Sequence, residues 1–189
     1  MARTGMTDLI RRLRLLTEGA AGLTTSLYTD DELEQVLDSN AVYVVREELL
    51  PQPGFESYTP VFISAHRQFE SGGRFMLQTE DGAELIPDSV YTADYAMGMF
   101  TIVEEAWWDT PLLLLTGYSH DLYGAAADVL EMMSARWAGD FDFSADGATY
   151  NRSQRRTAFL ALAAQYRARA RTGAGSQGVQ TVRMVRSDL

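Results

Sequence analysis

The sequence predicts an α+β subunit: a small helical bundle with an antiparallel β-sheet inserted into it and an extended C-terminal tail. Three observations lead there. Apolar residues recur at helical spacing near both ends of the chain, and strand-like runs punctuated by glycine and proline fill the middle from about 42 to 117. Beyond Thr172 the composition turns to glycine and serine before a short alternating run. The organisation expected is therefore one domain over 1–171 and a tail over 172–189, flexible or docked on a partner.

A first helix is predicted over 7–18, capped by Thr7, with Leu9, Ile10, Leu13 and Leu16 facing inward, Arg11, Arg12 and Arg14 outward, and Gly19 and Gly22 ending it. The second, over 30–40, starts at a capping box. Thr29 serves the Glu32 amide, Glu32 reaches back, and Tyr28 with Leu33 forms a hydrophobic staple. Its acids Asp30, Asp31, Glu34 and Asp38 lie near the N-terminal half, where the helix dipole tolerates them.

From Val42 the signal becomes β, with Pro51, Pro53 and Pro60 interrupting what precedes a strand at Val61 to Ala65, which would hold His66 at its end. Further strands are expected at Arg74 to Gln78, Glu84 to Ile86, Met99 to Val103 and Leu112 to Thr116. Gly72-Gly73, Asp81-Gly82 and the stretch Asp94 to Gly98 mark the turns of an antiparallel meander.

Two more helices follow, over 119–138 and 152–171. Leu122, Ala126, Val129, Leu130, Met133 and Trp137 form the apolar stripe of the first, with Ser119 as cap, His120 in the first turn and Asp121 favouring the dipole. Phe159, Leu162, Ala163, Tyr166 and Ala170 form that of the second, entered through Asn151 or Ser153. Stripes joined by a short loop pack antiparallel, and Asp146-Gly147 marks a turn in that loop between Phe143 and Tyr150.

In the tail, Val179 to Val185 alternates, with Val182 and Met184 on one face and Thr181, Arg183 and Val185 on the other. A lone strand is unstable in water, so this segment either stays unstructured or adds to a sheet edge or groove. Ordering all of 172–189 would cost about 18–36 kcal/mol of backbone entropy, which favours docking of Val179 to Leu189 over complete ordering.

The formal charge of −10 conceals a split. Residues 1–150 hold 8 Arg against 25 acids, a balance of −17, whereas 151–189 hold 8 Arg against Asp188 alone, a balance of +7. Every basic residue is Arg, a side chain suited to bidentate interface pairs, although a GC-rich genome produces the same bias. Arg152, Arg155, Arg156 and Arg167 on one subunit, set against Asp30, Asp31, Glu34 and Asp38 on the next, would make a head-to-tail contact. Trp107-Trp108 adds a second candidate interface, because adjacent strand residues point to opposite sides.

Catalytic chemistry finds little support. Cysteine is absent, which removes thiol catalysis, thiolate metal sites and a disulfide scaffold. The two histidines, His66 and His120, have no metal-ligand spacing, and no Walker or dinucleotide fingerprint is present, so no cofactor or metal is expected. Asp140, Asp142 and Asp146 alternate like the start of a calcium loop but lack its closing glutamate. Glu47-Glu48 and Glu104-Glu105 read as solvated loop or strand-edge charges. No apolar run approaches the roughly 18 residues of a membrane span, and no signal-peptide core is seen at the start.

The segments YTADYAMGMFTIV, TGYSHDLYGAAADVLEMMSARWAG and FDFSADGATYNRSQRR, between Tyr91 and Arg156, resemble the head-tail connector (adaptor) proteins of long-tailed bacteriophages, and TDDELEQVLD extends the likeness loosely toward the N-terminus. The resemblance covers about a third of the chain closely; its motifs are structural and include no catalytic element. It implies a virion protein of the phage neck, assembled in the host cytoplasm as a ring, by resemblance a dodecamer, beneath the portal and above the tail. Its expected partners are other copies of itself, the portal protein, and stopper or tail proteins, with double-stranded DNA passing through without sequence readout. The tail residues Val179, Val182, Arg183, Met184, Val185, Arg186 and Leu189 are the expected portal contact. The alternatives are another neck component, such as a stopper or tail-completion protein, or a hydrolase acting through paired carboxylates.

Overall fold

Local signals at Thr29 build the second helix as expected: Glu32 N–H donates to Thr29 Oγ1 at 3.3 Å and Thr29 N–H donates to Glu32 Oε2 at 2.7 Å, closing the capping box. Tyr28 and Leu33 are both buried in one cluster, as a staple requires. The structure is a computed structural model describing residues 2–23, 25–52, 61–103, 112–137, 143–145, 148–150 and 152–175, with the backbone alone at 143–145, 148–150, 152–153 and 171–175. Trp107, Trp108, Asp140, Asp142, Asp146 and the tail contact Val179 to Leu189 lie outside the described residues.

In chain order the elements are a 3-10 turn Thr4–Met6, α1 Thr7–Arg14 with a π turn Leu15–Gly19, α2 Asp30–Ser39, β1 Ala41–Glu48, β2 Leu50–Pro51, β3 Val61–Ile63, β4 Met76–Thr79, β5 Tyr91–Asp94, β6 Met99–Ile102, β7 Leu113–His120, α3 Leu122–Arg136, β8 Phe143–Ala145, β9 Ala148–Tyr150 and α4 Arg152–Gly175. The fold is α+β, with the sheets inserted between the N-terminal and C-terminal helices.

The strands do not form a single meander. They make two antiparallel sheets, ordered β1-β7-β4 and β2-β3-β6-β5, and a separate hairpin β8-β9. The chain switches sheets at Leu49, whose N–H donates to Leu113 O at 2.9 Å just before β2 begins. Strand β7, the last of the inserted region, lies in the centre of its sheet and is buried along most of its length, because pairing on both edges and packing on both faces remove it from water. Between the sheets, Phe62, Phe69, Phe75, Leu77, Tyr91, Phe100, Ile102, Leu113 and Leu115 form one core, within which Phe75 stacks on Phe100 at 5.4 Å and meets Phe69 edge-on at 5.6 Å.

A second core belongs to the helices. Helix α3 is buried not along a stripe but nearly all round: Ala125, Ala126 and Ala127 join Val129, Leu130 and Met133 in contact with α1, α2 and α4. Small residues on the sides let neighbouring helices approach closely, so the helix lies in the middle of the bundle rather than on its surface. By contrast α4, among its described side chains, buries only Phe159, Ala163 and Tyr166, with Leu162 half covered. Trp137 packs on Phe159 at 5.2 Å at one end of the pair and Tyr123 on Tyr166 at 5.7 Å toward the other, so α3 and α4 run antiparallel. Strands β8 and β9 pair antiparallel, with Phe143 opposite Tyr150 and Ala145 opposite Ala148.

Several boundaries differ from the sequence reading. Thr7 lies inside α1 and donates to Thr4 O, while Met6 occupies the cap position. Ser119 and His120 belong to β7, and the cap of α3 is Asp121, whose Oδ1 accepts from Gly124 N–H at 2.9 Å. Ser153 lies within α4, which continues through Gly175 into the expected linker because nothing in Thr172-Gly173-Ala174-Gly175 forces an exit. His66 lies in the turn after β3, and Glu84 makes one isolated bridge to Gln78 rather than a strand. The strand β5 and the full length of β1 went unassigned in the sequence.

Candidate functional site

Charge organises the candidate surfaces, beginning with the acids of α2. Asp30, Glu34 and Asp38 have cationic partners within the chain. Arg14 donates to Asp30 Oδ1 at 2.7 Å and to Glu18 Oε2 at 2.9 Å, and also bonds Ser26. Arg3 reaches both other acids: its backbone N–H donates to Glu34 Oε2 at 2.8 Å, its guanidinium lies 2.9 Å from Glu34 Oε1, and it grips both oxygens of Asp38 at 2.9 and 2.6 Å. The same guanidinium donates to Glu70 Oε1 at 2.9 Å. These bonds hold the Asp38 carboxyl below the usual carboxylate range and push the Arg3 guanidinium higher still. Asp31 is exposed at the same helix start.

Glu70 is only 3% exposed, so the Arg3 contact is what makes a carboxylate tolerable there. Gly5, two residues on, passes so close to Ser71 that a Cβ would overlap the Ser71 carbonyl oxygen. The N-terminal strap from Arg3 to Gly5 thus ties α2 to the loop 70–71 and joins the helical core to the sheets. Glu47 makes a second junction: it accepts from Ser64 Oγ and from Ala65 N–H, both at 2.7 Å, so it is a structural acceptor between the sheets rather than a solvated charge.

His120 lies beside this seam, 3% exposed. Its Nδ1 is 3.1 Å from Leu37 O, which assigns the proton to Nδ1, and its Nε2 makes no hydrogen bond among the described residues. Burial drives the imidazole pKa below its ordinary value, outweighing the Leu37 bond and the nearby Glu70 and Asp38 carboxylates. Above about pH 6.5 folded and unfolded states both hold a neutral ring; below it only the unfolded ring takes a proton, so stability falls until the lower folded value is reached. Urea midpoints measured from pH 7.5 down to 5 should therefore decline in this window. They should decline less in His120→Gln, whose amide still donates to Leu37 O; equal slopes would exclude His120 as the titrating group.

On the basic side, Arg167 donates to Glu131 Oε1 and Oε2 at 2.9 and 2.8 Å and to Asp128 Oδ1 at 2.9 Å, and so is an internal clamp between α3 and α4. These contacts raise its pKa further. Arg155 is exposed and lies over the Trp137 ring at 5.8 Å, Arg156 is exposed, and Arg169 lies over Tyr123 at 5.8 Å. Of the predicted basic set, Arg155 and Arg156 are thus presented outward, and only the backbone of Arg152 is described.

Sequence reasoning missed Arg3, Glu70 and Glu47 as organising residues, because no local pattern marks contacts between residues 67 and 17 positions apart. Among the described residues the two buried glutamates, Glu18 and Glu70, each bond an arginine and lie in different places. A cleft of about 390 Å³ between α1 and the β5-β6 turn is bordered by Asp8 and Asp94, but Asp8 bonds Arg11 and Asp94 Oδ1 accepts from Ala96 and Met97 N–H at 3.0 Å. Among the described residues no group of three or more His, Asp and Glu is placed to hold a metal, and no helix is long and apolar enough to cross a membrane. No protein-family model, curated protein or solved structure matches the chain.

Proposed function

We propose that the chain is a structural subunit of a bacteriophage neck, a head-tail connector that assembles with further copies into a ring under the portal. The observation that carries this reading is α4. This helix of 24 residues, about 36 Å long, holds six arginines and no acid, and one narrow stripe attaches it to the rest of the molecule. Arg155 and Arg156, exposed near its start on a chain whose first 150 residues carry a balance of −17, are suited to meeting the acidic surface of another copy or of a portal rim. The likeness across Tyr91 to Arg156, now seen to span β5, β6, β7, α3, the β8-β9 hairpin and the start of α4, supports the same reading.

Within this proposal Arg155 and Arg156 make intersubunit contacts. Arg167 and the acids Asp30, Glu34 and Asp38 act mainly inside the subunit, where each already has a partner. A ring lined in part by arginine would pass double-stranded DNA through phosphate contacts without reading sequence. The virion neck, assembled in the host cytoplasm, is the corresponding location. A stopper or tail-completion protein would show a similar basic helix and is distinguished by which neck protein binds it.

Mass photometry and negative-stain imaging of the protein, alone and with portal complexes, test this directly. Rings that form on portals at low salt, weaken as salt rises, and weaken further in Arg155→Glu/Arg156→Glu are expected. A monomer indifferent to portal at every salt concentration would overturn the proposal.

A further inference from the structure

The connection from β4 to β5 carries an apolar patch rimmed by acids. Leu85 N–H donates to Leu77 O at 2.8 Å, Val90 N–H to Ile86 O at 3.1 Å and Val103 N–H to Val90 O at 2.8 Å, so the backbone of this lobe is fixed. Leu85 is buried in the core between the sheets, which turns its neighbour Ile86 outward, 64% exposed; Val103, joined through Val90, is 50% exposed. Glu84 and Asp88, two residues to either side of Ile86, are exposed, as is Glu80, and among the described residues none of the three pairs with a cation. From 75 to 135 the chain holds eleven acids and no arginine, so nothing in this stretch neutralises them.

The opposite chemistry lies on α4. Arg156, Leu160 and Ala164, at four-residue spacing, share one face of the helix, and all three are exposed, Leu160 at 44%. Arg155 stands beside Arg156, over the Trp137 ring. None of these residues is among Phe159, Ala163 and Tyr166, through which α4 joins the helical core. A single chain therefore bares two apolar patches of opposite charge, one held by the helical core and the other by the sheets.

Each patch complements the other and repels itself. Two α4 faces meeting across a twofold axis would set arginine against arginine, and two lobes carboxylate against carboxylate, so a contact between copies runs head to tail. Leu160 against Ile86 and Val103 gives that contact an apolar centre, with Arg155 and Arg156 meeting Glu84 and Asp88 at its rim. We infer that the acidic lobe around Ile86 is the seat for the start of α4 of a second copy of this chain. The inference rests on the proposal that the chain assembles with further copies. It supplies the acidic surface that α2 does not, since Arg3 and Arg14 already hold Asp30, Glu34 and Asp38.

Because the chain has no cysteine, two single-cysteine variants, Ile86→Cys and Leu160→Cys, test this without background. Both positions are exposed, so neither change opens a core. Mixed and oxidised, alone and with portal complexes, the two should form a disulfide-linked dimer in several-fold greater yield than either variant by itself, and less of it as salt rises. Adding Glu84→Arg/Asp88→Arg to the first variant should abolish the excess, and adding Arg155→Glu/Arg156→Glu to the second as well should restore it. A mixture that links no better than the single variants, with or without portals, would overturn the inference. So would linking that Glu84→Arg/Asp88→Arg leaves unchanged. Rings that form on portals without this cross-link would keep the connector reading and remove only the seat at Ile86; cross-linking in a protein indifferent to portals would do the reverse.

Discussion

Replacing Arg3 with alanine is expected to destabilise the protein by about 2–4 kcal/mol, because it leaves Glu70 buried without its cation and releases Glu34 and Asp38 at the same stroke. The value lies somewhat below that for a fully buried pair because the Arg3 side chain is itself partly exposed. Urea denaturation measures the loss directly. Adding Glu70→Gln to Arg3→Ala should recover a clear part of it, since an amide tolerates burial better than an unpaired carboxylate. A wild-type midpoint in Arg3→Ala would mean that the strap contributes nothing to stability. Should the single variant fail to fold, the double variant still reads out the same coupling.

Gly98→Ala is expected to cost about 2–5 kcal/mol, for two separable reasons. Gly98 closes the turn between β5 and β6 at φ +67°, a left-handed conformation, and a Cβ there would overlap the His66 carbonyl oxygen. Backbone on both sides is fixed: Ser64 N–H donates to Gly98 O at 2.9 Å and Phe69 N–H to Tyr95 O at 2.9 Å. Gly82→Ala separates the terms, because Gly82 is also left-handed, at φ +89°, but has no atom within 4 Å of the added carbon. It should lose only about 1–2 kcal/mol, the conformational part. Thermal melts that shift equally in the two variants would show that the His66 backbone yields.

The parts of this molecule written in short-range chemistry were readable before any coordinates. The Thr29–Glu32 box spans four residues, and its hydrogen bonds form wherever that tetrapeptide starts a helix. The Asp94 to Gly98 turn and the Asp81-Gly82 turn follow from the conformations that glycine and aspartate favour. The helical periodicity at Leu9 to Leu13 and at Leu122 to Met133 was likewise legible, as was the segregation of charge between the two parts of the chain.

What came only from the tertiary structure was every decision between two locally acceptable answers. Ser119 and Asp121 both cap helices well; pairing of Ala41 with His120 keeps Ser119 in β7 and leaves the cap to Asp121. Val42, Tyr43 and Val45 break the alternation that marks a half-buried strand, so the β signal from Val42 was legible but the length of β1 was set only by β7 beside it. Ala125 and Ala127 look indifferent in sequence and become buried because α1, α2 and α4 surround α3. The acids of α2, which on charge alone belonged to a neighbouring subunit, were largely matched by arginines from elsewhere in the same chain. Arg3 and Glu70 are 67 residues apart, and sequence spacing carries no information about a contact that only packing of the helices against the sheets brings within hydrogen-bond distance.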